Sequence, residues 1–565
     1  MVPAIVTSRP FERLFMLAVA GLLVAACVGT VIAPLNTDTA WFLVAARRVL
    51  GGERLYVDLM ETNPPLIVWL WMGPAWLGAF TRLSDQRVAG VVVAATIAGC
   101  SLLALSMLGR DTSRVWRIWL LASWLAALVG LCLWDVGQRE QFAAMLTLPY
   151  ACLAARRMTG ERASHDGGRP SILLTGVLAG VGFALKPFFL GALVSIELVV
   201  FAVTGWRRTL TRVELWAVLA IHAIYAALIV VVTPEYLRDI TPAVLATYGA
   251  YGNGVEWVLR SKRAWLPALL AVVALGSSWL AVRGAGPASD RNTGPANATA
   301  TAVRRSGHPS GSRGLLGAMT MAAALTRVMS TATLGWLIGF VAQGKGWRYH
   351  LIQVMVFGTA ALAAAAAQLW SLGPVLWRRS ARTRVLVLVA GALLLLAAVP
   401  AGLAARRVVQ AEWRAWWAAE SSTERLAAVV SQLAPGDPIY VLSTSMAPAF
   451  PVVNLAGAQW PYRYHFLWPL PGLYAGPTGT PIPYRAPAEQ GPLEREFFER
   501  VLGDLERVPP RLLIVDRQRD QQGMAYGRPF DFLRYFSASP RFVEVFSHYR
   551  RAGAVGAFDI YERVR

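Results

Sequence analysis

Four short stretches put charge beside apolar runs. The stretch "NTDTAWFLVAARRVLGGERLYVDLMETNPP", residues 36–65, brings Asp38, Asp58, Glu61 and Asn63 directly after a long apolar segment. The stretch "DVGQREQ", 135–141, brings Asp135, Gln138, Arg139 and Glu140 between two apolar segments. A carboxylate in such a place can take a proton from a hydroxyl. The other two stretches carry cations. Lys186 opens "KPFF" (186–189), and "QGKGWRYH" (343–350) holds Lys345, Arg348, Tyr349 and His350. Lys and Arg meet phosphate well, and Gly344 and Gly346 let backbone approach a ligand. Carboxylates on one side and cations on the other suit transfer of a group from a lipid phosphate to a hydroxyl. The cations stabilise the leaving phosphate and a carboxylate accepts the acceptor's proton.

Each residue also has a plainer reading. Asp38 is well placed to cap a helix over 39–50. A short loop such as 135–141 needs some polar residues, although four polar groups at the start of a span, with Arg139 beside Glu140, exceed what a turn requires. Lys186 can extend its stem along apolar surface to reach water. Trp347 and Tyr349 are typical anchors at a membrane interface. The cysteines Cys27, Cys100, Cys132 and Cys152 all lie in apolar segments, none at metal-ligand spacing, and read as small buried hydrophobes.

The elements that must position these residues are membrane spans. Of 565 residues, 56% are hydrophobic and 15% charged, which excludes an ordinary soluble enzyme. The net charge of +21 is spread in short basic clusters between apolar segments, so it reads as topology and not as a nucleic-acid surface. Candidate spans are 12–34, 87–109, 116–134, 142–156, 171–187, 188–204, 214–233, 264–282, 315–341, 349–373 and 384–403, about eleven in all. The stretch 64–80, with Pro74 and several Trp, reads as an interfacial or re-entrant helix. The basic loops 110–117, 156–169, 206–212, 283–313 and 377–384 are then cytoplasmic, with the N-terminus inside. The loop 283–313, rich in Gly, Ser, Pro, Ala and Arg, reads as disordered. The loops left outside are 35–63, 135–141, the turn at 186, 234–262 and 343–350. They hold every candidate named above.

Residues 1–405 therefore form a transmembrane domain, with 35–80 as its outer polar loop. Residues 406–565 change character. Helix, Pro-Gly turn and strand are expected over 423–445, the same order over 493–518, and a hairpin over 541–564. This is a small α/β domain on the outer side. The aromatic stretch 454–474 either covers the site or packs the domain onto the spans.

Taken in order, these stretches resemble the GT-C glycosyltransferases that use polyprenyl-phosphate sugars. The branch they resemble includes the bacterial aminoarabinose lipid A transferase and the protein O-mannosyltransferases. The match is carried by 36–71 with "LGGERLY" and "NPPL", by "GQREQFAAMLTLPYACLAARR", by "GVLAGVGFALKPFF" and by "KGWRYHLIQV", spanning roughly residues 12–375. The resemblance implies a polytopic α-helical fold and an inverting sugar transfer. It places the acid–base carboxylate at Asp38 and a second acid at Glu140, with Asp135 nearby. It turns Lys186, Lys345 and His350, with Arg348 and Tyr349, toward the lipid phosphate. Asp58, Glu61, Asn63, Asp135, Gln138 and Arg139 would then line the sugar and acceptor. Thr39 stands where many relatives have a second acid, and Asn63 where many have a basic residue. The implied partners are a polyprenyl-phosphate-linked donor, a lipid, glycan or protein acceptor, and membrane lipids. The implied place is a bacterial inner membrane, with the C-terminal domain periplasmic. A divalent cation is left open as cofactor. Competing readings are a transporter or flippase for lipid-linked sugars, a ligase or polymerase using a diphosphate-linked oligosaccharide, and a scaffold for envelope assembly.

Overall fold

The structure, a computed structural model, describes residues 9–109, 112, 114–130, 132, 135–160, 168–284, 320–377, 381, 384–392 and 422–564. Part of the expected span 384–403 and nearly all of the expected loop 283–313 lie outside the described residues. The helices run α1 (Arg9–Ile32), α2 (Thr37–Leu50), α3 (Leu66–Thr81), α4 (Asp85–Met107), α5 (Arg114–Gly130), α6 (Arg139–Met158), α7 (Arg169–Ala184) and α8 (Leu190–Thr204). They continue with α9 (Trp206–Leu210), α10 (Val213–Val232), α11 (Thr241–Thr247), α12 (Val255–Arg260), α13 (Lys262–Gly284), α14 (Met321–Ala342) and α15 (Ile352–Trp377).

Burial sorts these helices into a centre and a rim. Nearly every residue of α6 is buried, with α4, α7 and α14 packed around it. Its alanines let neighbours approach closely on all sides. The rim helix α10 packs on α7 and leaves Leu219, Ile224, Leu228 and Val231 exposed. A helix apolar on its outer face as well is one built to meet lipid.

Among the described residues, five helices are long and apolar enough to cross a bilayer, at 85–107, 187–204, 213–232, 321–342 and 348–371. The pair Met16–Ile32 and Thr37–Leu50, bent by 66°, would make a sixth. Four more apolar helices are shorter: Leu66–Thr81, Val115–Gly130, Arg169–Ala184 and Ala268–Ser277. Three of these coincide with expected spans at 116–134, 171–187 and 264–282. The fourth is α3, at the stretch expected to lie at the interface, with Pro74 inside it. The bend after α1 turns α2 away from the axis of the first span, and α2 packs on α3.

The C-terminal part forms a four-stranded sheet. The helix Ser422–Leu433 leads into β1 (Ile439–Leu442), and the helix Pro492–Arg507 into β2 (Leu512–Asp516). The strands β3 (Tyr549–Val555) and β4 (Phe558–Arg563) follow as a hairpin. The order is β1-β2-β4-β3, with β1 parallel to β2 and β4 antiparallel to both neighbours. Both parallel strands are buried along their length, which is why they read as apolar runs, with only Asp516 polar at the end of β2. Burial of large apolar side chains such as Phe497 and Leu512 stabilises the domain by about 1.5–3 kcal/mol each. The hairpin is shorter than the expected 541–564. Pro540 starts a helix to Ser547, because proline suits a first helical turn and Phe542, Val545 and Phe546 recur at helical spacing.

Candidate active site

Asp38 does not cap α2. Asn36 does, its Oδ1 accepting the N–H of Asp38 at 2.9 Å and of Thr39 at 3.4 Å. An Asn before the first turn satisfies helix donors as well as Asp does. The Asp38 carboxylate, one residue inside the helix, is thereby free of the backbone and turns toward the second acidic loop.

That loop is pressed against α2. Thr39 Oγ1 donates to Val136 O at 2.9 Å. Gly137, at φ +85°, lies so close that a Cβ would stand 2.7 Å from Thr39 Oγ1. Only glycine meets both conditions. The next two residues reach Asp38. Gln138 Nε2 donates to Asp38 Oδ2 at 2.8 Å and to Asn36 Oδ1 at 3.1 Å. Arg139 Nη2 stands 3.5 Å from Asp38 Oδ2, and its Nη1 donates to Asn63 Oδ1. Burial pushes the Asp38 carboxyl up from the ordinary aspartate value, and the Arg139 charge and Gln138 hydrogen bond oppose it.

Behind this pair lies a second, closed one. Lys186 Nζ donates to Glu140 Oε1 and stands 3.3 Å from His350 Nε2. Glu140 Oε1 is also 3.7 Å from His350 Nε2. All three are buried, and Tyr349 packs its ring on His350 at 4.4 Å. The Lys186 charge, expected to face a phosphate, is thus already answered inside the protein. At the rim Arg348 Nη2 pairs with Asp135 Oδ2 at 3.4 Å. Burial holds the Asp135 carboxyl up at about 6 even beside Arg348.

Lys345 is placed differently. Its Nζ lies 3.4 Å from the ring centre of Tyr248 and 4.6 Å from that of Trp347. No carboxylate stands within ion-pair distance of it among the described residues. Burial, then the nearby charges of Lys186 and Arg139, push it down to about 6.

Of the four residues expected in the first outer loop, Asp38, Glu61 and Asn63 join the site and Asp58 does not. Glu61 is buried and accepts from Trp41 Nε1, from Asn63 N at 2.7 Å and from Asn63 Nδ2 at 2.6 Å. Asn63 passes that link to Arg139. Asp58 instead accepts Arg54 N at 2.8 Å and closes a local turn. Sequence reasoning missed Asn36, Trp41, Tyr248 and His465, whose ring stacks on Trp41 at 4.5 Å. The aromatic-glycine run "TYGAYGNG" at 247–254 was the available signal for Tyr248. Among the described residues, no three of His, Cys, Asp and Glu converge as a metal-ligand set, so the geometry adds nothing in favour of a divalent cation.

No protein-family model matches the chain, and no curated protein does. Among solved structures it is similar to the archaeal oligosaccharyltransferase AglB from Archaeoglobus fulgidus, in complex with an inhibitory peptide and a dolichol-phosphate. That likeness has 12% identity and a TM-score of 0.42, and covers 97% of this chain and 74% of that one. A likeness of that degree assigns neither an activity nor a site residue.

Proposed function

We propose that this chain is an integral-membrane glycosyltransferase of the GT-C kind. It moves a sugar from a polyprenyl-phosphate donor to a lipid, glycan or protein acceptor of the cell envelope. Its site and C-terminal domain lie on the periplasmic side of a bacterial inner membrane. The observation that carries this reading is that the Asp38 carboxylate is more accessible than the acids packed behind it. The Asp38 side chain is 18% exposed, whereas Glu61 and Glu140 are 0% exposed. A substrate hydroxyl can reach Asp38 and cannot reach the other two.

In this reading Asp38 takes the proton of the acceptor hydroxyl. The acceptor oxygen bonds to the anomeric carbon, and the bond from that carbon to the phosphate oxygen breaks. Its electron pair leaves with the polyprenyl phosphate, and configuration inverts. Gln138 and Arg139 hold the carboxylate in line. Lys345 meets the leaving phosphate, with Arg348 at the rim. Glu140, Lys186 and His350 hold the floor of the site from behind, with Tyr349 packed on them.

The test is deletion and restoration in the host, read by mass spectrometry of envelope glycans and glycolipids. One sugar should vanish on deletion, return with the wild-type gene and stay absent with Asp38→Asn. Full restoration by Asp38→Asn would sink the reading. Redistribution of a lipid-linked precursor across the membrane, with no glycan changed, would favour a transporter.

A further inference from the structure

The C-terminal ends of β1 and β2 carry Ser443, Thr444 and Asp516, all buried. Ser443 Oγ donates to Asp516 Oδ2 at 2.8 Å, and Asp516 Oδ1 accepts the Gln518 N–H at 2.8 Å. Parallel strands commonly leave a ligand crevice at this end. Here protein fills it. Leu467 N donates to Ser443 O at 2.9 Å, and Tyr251 OH, from the membrane domain, donates to Thr444 O at 2.8 Å.

From that base the segment 460–474 reaches both walls of the site. On the first wall, Met60 N donates to Arg463 O at 2.9 Å, Trp468 Nε1 to Met60 O at 3.3 Å, and Arg48 Nη1 to Tyr462 O at 2.6 Å. The His465 ring lies flat on Trp41, with 9° between their planes. Trp41 donates to Glu61, and the bonds continue through Asn63 and Arg139 to Asp38. On the second wall, Gly472 abuts the backbone before Tyr248. A Cβ at Gly472 would stand 2.3 Å from Thr247 Cα. Tyr248 is the ring over Lys345.

Resting on the transferase reading, we infer that segment 460–474 is a strap by which the C-terminal domain positions the catalytic carboxylate and the Lys345 side chain under Tyr248. His465 is a positioning residue that acts through its flat ring. Both of its ring nitrogens are buried without a hydrogen-bond partner. The Trp41 indole is held between that ring and Glu61, and Glu61 fixes Asn63 and hence Arg139. An error of an ångström passed along this line reaches the base.

The test uses the full chain in lipid nanodiscs, with hydrogen–deuterium exchange, and the same variants in the restoration assay. Gly472→Val should speed exchange about tenfold or more in 55–63 and 244–251, and leave α15 unchanged. The restored glycan should fall about 10–100-fold. His465→Ala should open 55–63 and lower restoration in the same way, and His465→Phe, which keeps the flat ring, should recover both. If 244–251 opens while 55–63 does not, the strap does not hold the catalytic loop and the inference fails. It also fails if neither opens, or if both open and restoration stays at the wild-type level. Should Gly472→Val not accumulate, the two His465 variants decide alone, and equal behaviour of Ala and Phe overturns the inference. Asp38→Asn separates the two readings. Full restoration by it, with wild-type exchange, would end the transferase reading while the exchange data still report on the strap.

Discussion

The side-chain amide of Gln138 donates at 2.8 Å to Asp38 Oδ2 and at 3.1 Å to Asn36 Oδ1. One amide thus ties the cap of α2, the half-buried Asp38 carboxylate and the start of α6 into one unit. The carboxylate keeps its second oxygen for a substrate. With its affinity for a proton raised by burial, Asp38 is a better base than an aspartate in water.

Asp38→Asn should therefore lower transfer by about 10²–10⁴-fold, the usual worth of a positioned general base. Amide and carboxylate have the same shape, so Gln138 and Arg139 still find an oxygen to meet, and the Asn36 cap touches only the backbone of residue 38. Membrane abundance and heat stability of the variant should match the wild type. Quantified envelope glycan against membrane-fraction protein measures both, and a variant within twofold of wild type would remove Asp38 from the chemistry.

Arg139→Lys tests whether geometry or charge matters at the neighbouring position. The guanidinium spans two partners, Asn63 and Asp38, from a fixed fork. An ammonium is a point charge and reaches one of them. Transfer should fall about 10-fold or more, with Arg139→Met falling further because Asp38 also loses its cation. Equal activity of Lys and Arg would show that the link to Asn63 is idle.

Part of this site was readable from residue types. Acids in 36–65 and 135–141 and cations at 186 and 343–350 lie far apart in sequence, and apolar segments of bilayer length force their loops toward one end. The loops do meet, as the Gln138–Asp38 and Lys186–Glu140 contacts show. The partners within the cluster were not readable. Composition does not say that Lys186 answers Glu140 while Lys345 answers no acid, because that depends on helix rotation and depth. Residue type does not separate Asn36 from Asp38 as the cap, because both cap helices equally well. His465 was invisible because an isolated histidine in an aromatic run carries no signal of what it stacks on. The helix Pro540–Ser547 stands where a hairpin is expected, because short apolar runs fit both periods.

The pair Glu140–Lys186 should behave as a buried unit. Removing one partner leaves a charge without an answer in a closed space, which costs about 3–5 kcal/mol. Glu140→Gln and Lys186→Met should each lower the unfolding temperature of the protein in detergent. The double variant should be more stable than either single one, since no lone charge remains. A double-mutant cycle on thermal unfolding reads the coupling, and additive effects would place the two side chains apart in solution.

Lys345 gives the site a pH dependence with a definite sign. Its ammonium is pushed down from the ordinary lysine value of 10.5 to about 6, so in the empty site it is mostly neutral above pH 6. A bound phosphate favours the charged form, and binding therefore takes up a proton. Affinity for a polyprenyl phosphate should be fullest below pH 6. It should weaken as pH rises, by up to about tenfold per unit, until the raised value of the bound state is passed. The phosphate's own second ionisation, near 6, acts in every variant, so the difference between Lys and Arg carries the signal. Lys345→Arg, charged at every pH used, should bind with the phosphate's slope alone. Lys345→Met should bind more weakly than Lys345→Arg at every pH used. Titration of a short-chain polyprenyl phosphate into the purified protein at pH 5.5, 6.5, 7.5 and 8.5 measures all three, about one unit to each step of the expected fall. Identical slopes for Lys and Arg would mean that Lys345 does not meet the phosphate.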